Sequence, residues 1–87
     1  MTRDLIVQQV QAIVAKIAGT HRIPAVVGSD TPLGEEGYWL DSVDFLEVIL
    51  ACQTAFGTAF DAEIDLTAEN LRTVGSLADM IGSKIKD

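Results

Sequence analysis

Few side chains in this sequence could act as a general base or as a nucleophile. It contains one histidine, His21, and one cysteine, Cys52. A catalytic pair has to be oriented by a third group, and no histidine, cysteine or carboxylate stands at ligand spacing from His21, so we interpret it as a surface loop residue. Cys52 falls on the apolar side of a predicted helix, where a free thiol behaves as a small hydrophobic group. The sequence therefore predicts no catalytic residue and a protein that is not an enzyme.

Two segments imitate ligand-binding motifs without completing them. The glycine-containing run from Gly28 to Gly34 lacks the Gly-Lys-Ser/Thr ending of a phosphate-binding loop. Positions 61, 63, 65 and 67 supply the first four oxygen ligands of a calcium loop. Its sixth position, however, is Leu66 instead of glycine, and its twelfth is Arg72 instead of glutamate. A calcium loop is thereby excluded, and we predict no metal site.

Charge excludes other classes of partner. The chain has 6 Lys and Arg against 13 Asp and Glu, a net charge of −7 and a pI near 4.4. Such a surface is not attracted to nucleic-acid phosphates or to anionic membranes, and it favours partners with basic docking patches. Trp39 could stack on a base, but no basic residues surround it. We expect Trp39 to pack against the core instead.

Ser42 is the one serine whose position suggests chemistry. Asp41 precedes it and is a good helix cap, with Asp44 placed to complete a weak capping box. Ser42 then becomes the first helical residue, with a free hydroxyl beside unpaired backbone N–H groups and the positive end of the helix dipole. A phosphate is well accommodated there. The residues alone leave two interpretations open, a structural cap and an anchoring site.

Three main helices and one short helix are predicted to position these residues. Apolar residues at three- and four-residue intervals predict helices over about 3–18, 42–56 and 74–86, and Thr67 is expected to cap a short helix over about 67–71. No segment alternates long enough to form a strand, so the fold class is all-α. Residues 19–41 are rich in glycine and proline but also apolar, which predicts a long loop that packs on the core.

Length and composition predict a single globular domain. The chain has 87 residues, 48% of them hydrophobic, and a mean hydropathy of +0.29, values that exclude intrinsic disorder. A single cysteine excludes a disulfide framework. Glutamines interrupt the apolar stretch near the N-terminus, so neither a secretory signal nor a membrane-spanning segment is predicted. A cytoplasmic location is the expectation.

With these elements in place, the sequence resembles the acyl carrier protein family. Its members are small acidic bundles of three main helices and one short helix, and they carry 4′-phosphopantetheine, derived from coenzyme A, on the serine of an Asp-Ser-Leu or similar motif. Asp41-Ser42-Val43 matches this motif, with valine in place of the commoner leucine. Residues 30–33 and 69–74 are similar to the family's segments before the motif and around the short helix. The resemblance implies one carrier domain over residues 1–87, with the arm on Ser42.

The resemblance also implies a docking surface for partner enzymes on the second helix. Asp44 and Glu47 stand where the family has acidic docking residues. Leu46 and Leu50 make that face more apolar than usual, unless both leucines belong to a wide core stripe. Residues 53–55 are uncharged where carriers of fatty-acid synthesis are usually acidic. These departures favour a polyketide or another secondary-metabolite pathway.

The function implied by the resemblance is transport of acyl intermediates as thioesters on the arm. The expected partners are a phosphopantetheinyl transferase and acyl-loading, ketosynthase or acyltransferase-type enzymes, and the expected state is a discrete monomer. The motif does not separate this function from that of an aminoacyl or peptidyl carrier of non-ribosomal synthesis, although the charge of −7 favours acyl cargo. An unmodified helical interaction module, in which Ser42 is only structural, is the alternative of another class.

Overall fold

The computed structural model describes residues 2–19 and 22–85, and within them it contains three helices and no strand. The helices are α1 (Arg3–Ala18), α2 (Ser42–Phe56) and α3 (Val74–Lys84). The all-α fold class expected from the sequence is confirmed. The interpretation of His21 and the predicted last residue of the final helix, residue 86, lie outside the described residues.

Side-chain caps determine where the helices begin. Thr2 Oγ1 accepts a hydrogen bond from the backbone N–H of Leu5 at the start of α1. At the start of α3, Thr73 and Ser76 each accept a bond from the other's backbone N–H. Such caps satisfy N–H groups that have no partner within the helix. Gly57, with φ of +65°, ends α2 in the left-handed region that glycine tolerates best.

One hydrophobic core holds the three helices and the long loop together. α1 packs against both α2 and α3. The core consists of apolar side chains that are almost fully buried, and they come from the three helices and from the loop before α2: Ile6, Val10, Val14, Ala18, Leu33, Tyr38, Leu40, Val48, Ile49, Cys52, Val74, Leu77, Ala78, Met80 and Ile81. Because the loop contributes three of these residues, it is a structural part of the bundle.

The loop before α2 is attached to the start of α3 through its backbone. Leu33 N donates to Arg72 O at 3.0 Å, Val74 N to Thr31 O at 3.1 Å, and Gly75 N to Ser29 O at 2.7 Å. The predicted packing of this loop on the core is confirmed at Leu33, which is fully buried. The segment that leads to Ser42 is therefore fixed on α3.

Trp39 departs from the sequence-based expectation, because its side chain is 57% exposed and does not belong to the core. Its neighbours Tyr38 and Leu40 are both buried, so the chain turns the residue between them outwards. Trp39 also has φ of +57°. This left-handed conformation costs a residue with a Cβ about 1–2 kcal/mol.

A buried carboxylate organises the segment between α2 and α3. Asp65 Oδ2 accepts a hydrogen bond from Asp61 N and forms an ion pair with Lys84 Nζ, both at 2.7 Å. The backbone hydrogen bond, followed by the one from Lys84, lowers the pKa of Asp65. One carboxylate of the calcium-like segment, that of Asp65, is thus engaged inside the protein.

The short helix predicted over residues 67–71 is wrong. These residues form one turn, closed by a 3.0 Å hydrogen bond from Leu71 N to Thr67 O. Thr67 Oγ1 accepts from Asn70 N, as a capping threonine would. No second turn follows, because Thr73 already pairs with Pro32 and caps α3.

Candidate functional site

The first turn of α2 is fixed by a reciprocal capping box. Asp41 has extended backbone, and its Oδ1 accepts a 2.8 Å hydrogen bond from Asp44 N. Asp44 Oδ2 in turn accepts from Asp41 N at 3.2 Å. This arrangement makes Ser42 the first helical residue. The cap is therefore supplied by Asp41, and the Ser42 hydroxyl is not needed for it.

Ser42 presents its hydroxyl to solvent. The residue is exposed, and among the described residues no hydrogen bond involves its Oγ. Within the same described part, the backbone N–H groups of Ser42 and Val43 also have no acceptor. These two N–H groups form the positive end of the α2 dipole, which favours a negatively charged group. The site offers a free hydroxyl beside N–H groups that can stabilise an anion.

Arg22 is the site residue that sequence analysis missed. Its Nη1 lies 2.6 Å from Asp44 Oδ2, and its Nε donates to Ala18 O at 2.8 Å. Its Nη1 also donates to Trp39 O at 3.4 Å. One side chain thus connects the end of α1, the loop and the start of α2. A signal existed in the sequence, since Arg22 is the one cation between Lys16 and Arg72.

The ion pair with Arg22 changes the part that Asp44 can play. The Asp44 side chain is only 14% exposed. The hydrogen bond from Arg22 is the main cause that lowers the pKa of Asp44, so the carboxylate is charged but compensated. The docking role predicted for Asp44 stays a prediction, and the structure gives this residue a clear internal role in holding α2 to Arg22.

The other residues predicted for docking share an exposed strip along α2. Leu46 and Leu50 are 59% and 53% exposed, so neither belongs to the core and the core-stripe alternative is wrong. Val43 is exposed next to Ser42, and Glu47 is exposed on the same side of the helix. Positions 43, 46, 47 and 50 recur at helical spacing, which puts them on one face. Their contact with partner enzymes stays a prediction.

The one cysteine of the chain lies in the core and not at this site. Cys52 is fully buried, and burial raises the pKa of its thiol to about 12. In the described part of the chain, no cluster of three or more His, Cys, Asp or Glu side chains could hold a metal ion. Of the helices in residues 2–19 and 22–85, none combines the length and the hydrophobicity that crossing a membrane requires.

Comparison with known proteins identifies the family. The family model described as "phosphopantetheine attachment site" matches residues 8–81, which include all of α2 and most of α1 and α3. Neither the curated proteins nor the solved structures gave a match. Domains of this family are generally non-catalytic carriers, and phosphopantetheinyl transferases and biosynthetic enzymes act on them. The chain belongs to the phosphopantetheine-attachment family, and its cofactor is covalently bound 4′-phosphopantetheine.

Proposed function

We propose that the chain carries acyl intermediates as thioesters on a 4′-phosphopantetheine arm attached to Ser42. One observation carries this proposal. Ser42 is the first residue of α2, and its hydroxyl is exposed and lacks a partner among the described residues because Asp41 provides the cap. The chain itself catalyses nothing in this proposal. The arm supplies a thiol that holds the acyl group, and tethering raises the effective concentration of that group at each partner enzyme.

The residues around Ser42 fit a phosphodiester. The free N–H groups of Ser42 and Val43 can stabilise its negative charge. Asp44, the nearest carboxylate within the helix, is neutralised by Arg22, which weakens its repulsion of a phosphate. In the attachment step, Ser42 Oγ forms a bond to the phosphorus that bears pantetheine in coenzyme A. The pyrophosphate bond breaks, the nucleotide leaves as 3′,5′-ADP, and the hydroxyl proton goes to a base of the transferase.

Charge and surface character support acyl cargo in a dedicated pathway. The net charge of −7 favours an acyl over an aminoacyl carrier. The exposed Val43, Leu46 and Leu50 and the uncharged residues 53–55 favour polyketide or other secondary-metabolite enzymes over those of fatty-acid synthesis. Its partners would then be a phosphopantetheinyl transferase and acyl-loading and ketosynthase or acyltransferase-type enzymes, which meet the carrier as a monomer.

Arm transfer to Ser42 can be tested by intact mass. We expect the wild-type chain to gain one phosphopantetheine when it is incubated with coenzyme A and a promiscuous transferase, and Ser42→Ala to gain none. Ser29→Ala is the matched control, because Ser29 and Ser42 are the two serines of the tryptic peptide 23–72. This control should be labelled like the wild type. Labelling that persists in Ser42→Ala would overturn the assignment of the serine.

The chain that bears the phosphopantetheine arm can then be used to distinguish an acyl carrier from an aminoacyl carrier. We expect malonyl or another acyl group to be transferred to the arm by an acyltransferase. Efficient loading by an amino-acid-adenylating enzyme, with no acyl loading, would instead identify an aminoacyl carrier. If the wild-type chain gains no mass at all, the unmodified interaction module becomes the better description.

A further inference from the structure

Trp39 is a large aromatic residue that the core does not use. It is the single tryptophan of the chain, and 57% of its side chain is exposed. Its φ of +57° is a conformation that glycine adopts at lower cost. Neither burial nor backbone geometry therefore explains a tryptophan at this position. An outlier of this kind is a reason to look for a function.

The backbone of Trp39 is held from both sides. Its N–H donates to Gly34 O at 2.8 Å, and its carbonyl accepts from Arg22 Nη1 at 3.4 Å. Because the same Arg22 guanidinium binds Asp44, the position of Trp39 is linked to the first turn of α2. A side chain on a fixed backbone loses less conformational freedom when it contacts a partner, and more of its contact energy remains as affinity.

Trp39 lies within reach of any enzyme that modifies Ser42. The two residues are three positions apart, so their Cα atoms are separated by at most about 11 Å. An interface of standard size covers about 800 Å² on each partner, which is a patch about 30 Å across. An interface of this size centred on Ser42 Oγ is therefore wide enough to include Trp39. Tryptophan is among the residues that contribute most to such interfaces.

We propose that Trp39 determines how well the phosphopantetheinyl transferase recognises this chain, by placing its ring in an apolar depression on that enzyme. The proposal rests on the proposed function, because it takes Ser42 as the modified residue. Val43, the residue after Ser42, is also exposed, so a partner that reaches Ser42 meets apolar side chains before and after it in the sequence. Given the net charge of −7, the depression should be bordered by basic residues.

The test measures steady-state kinetics of arm transfer with coenzyme A and one transferase. We expect Trp39→Gly to raise the KM for the carrier about tenfold, as loss of an interface tryptophan does, and to leave kcat within about twofold. Trp39→Phe should raise KM less, because an aromatic ring remains. Ile64→Ala is the matched control: Ile64 is an exposed aliphatic residue beside Met80 and Ser83 of α3, and its loss should leave KM unchanged.

The outcomes separate this inference from the proposed function. Trp39→Gly should stay folded, since glycine is favoured at positive φ, and a thermal melt checks this. If the wild type is labelled on Ser42 and folded Trp39→Gly has the wild-type KM, the inference is wrong and the proposed function stands. A fall in kcat at constant KM would also overturn it, because Trp39 would then position the serine. If the wild type is not labelled, both proposals fail.

Discussion

The only sulfhydryl group of the protein chain is the fully buried one of Cys52, and burial raises its pKa to about 12. Since the thiolate is the reactive form, we expect a thiol reagent to modify the native apo chain slowly and the unfolded chain fast. Cys52→Ala should lower the free energy of unfolding by about 1–2 kcal/mol. Time courses of labelling, followed by mass spectrometry, would measure both reaction rates, and urea unfolding curves would measure the stability of the alanine variant. Rapid labelling of the native chain would contradict the burial of Cys52.

The ion pair between Arg22 and Asp44 predicts a particular pH dependence. Arg22 lowers the pKa of Asp44 in the folded state. The stability that comes from this pair is therefore complete above the ordinary pKa of aspartate and is lost as the pH falls through the lowered value. We expect Arg22→Gln to lower Tm at neutral pH, with a difference from wild type that narrows between about pH 5 and pH 2.

Arg3→Gln is the matched control for this experiment. Arg3 also pairs with an aspartate, Asp79, at 2.7 Å, but the two side chains are 53% and 60% exposed. Exposed pairs contribute little, so Tm should hardly change. A difference between Arg22→Gln and wild type that is constant over the whole pH range would show that Arg22 acts only through its hydrogen bonds to the backbone carbonyls of Ile17, Ala18 and Trp39.

Local chemistry made some of these residues predictable. Asp41 and Ser42 could be placed from capping preferences, which depend on neighbours in sequence. Arg22 could not, because its partners Ala18, Trp39 and Asp44 meet only when α1 and the loop have packed. The exposure of Trp39 likewise depends on its positive φ, which aromatic residues seldom adopt.

At the scale of elements, the loop before α2 depends on one close approach. A Cβ built on Gly37 would lie 1.8 Å from Pro32 O, whereas one on Gly34 would meet nothing within 4 Å. We expect Gly37→Ala to lower the free energy of unfolding by about 2–3 kcal/mol, because the loop would have to move. Gly34→Ala, in the same loop, should change it by no more than about 0.5 kcal/mol.

Urea unfolding curves of both glycine variants would measure these effects. Equal stability of the two variants would mean that the contact between Gly37 and Pro32 is not required.

Hydrophobic spacing predicted α1, α2 and most of α3, since each buries one apolar face. It could not predict that residues 67–71 stop after one turn, because the pairing of Thr73 with distant Pro32 limits them.

For the whole molecule, the question is whether net charge or a local charge attracts partner enzymes. Glu47→Lys and Glu63→Lys both change the net charge from −7 to −5, and both glutamates are exposed. We expect Glu47→Lys to slow association with the transferase about three- to tenfold at low salt, and less as salt rises, because Glu47 lies beside the exposed leucines of α2. Glu63→Lys should have a much smaller effect.

Stopped-flow association with the transferase would measure both charge variants and Leu50→Ala. The leucine variant should mainly speed dissociation, since loss of an apolar contact shortens the life of a complex. If the two charge variants slow association equally, net charge alone attracts the partner. The predicted docking surface on α2 would then lose its electrostatic basis.

The attachment of the loop to α3 has a consequence for the order in which the fold opens. The amides of Leu33, Val74 and Gly75 all donate across this junction, and none of them can be freed unless the loop and α3 separate. Hydrogen exchange should therefore give one common free energy of opening for these three amides, as members of a single cooperative unit. α2 bears Ser42 but contributes none of these donors or acceptors. Loss of the cap between Asp41 and Asp44 would therefore leave the hydrogen bonds between the loop and the start of α3 intact.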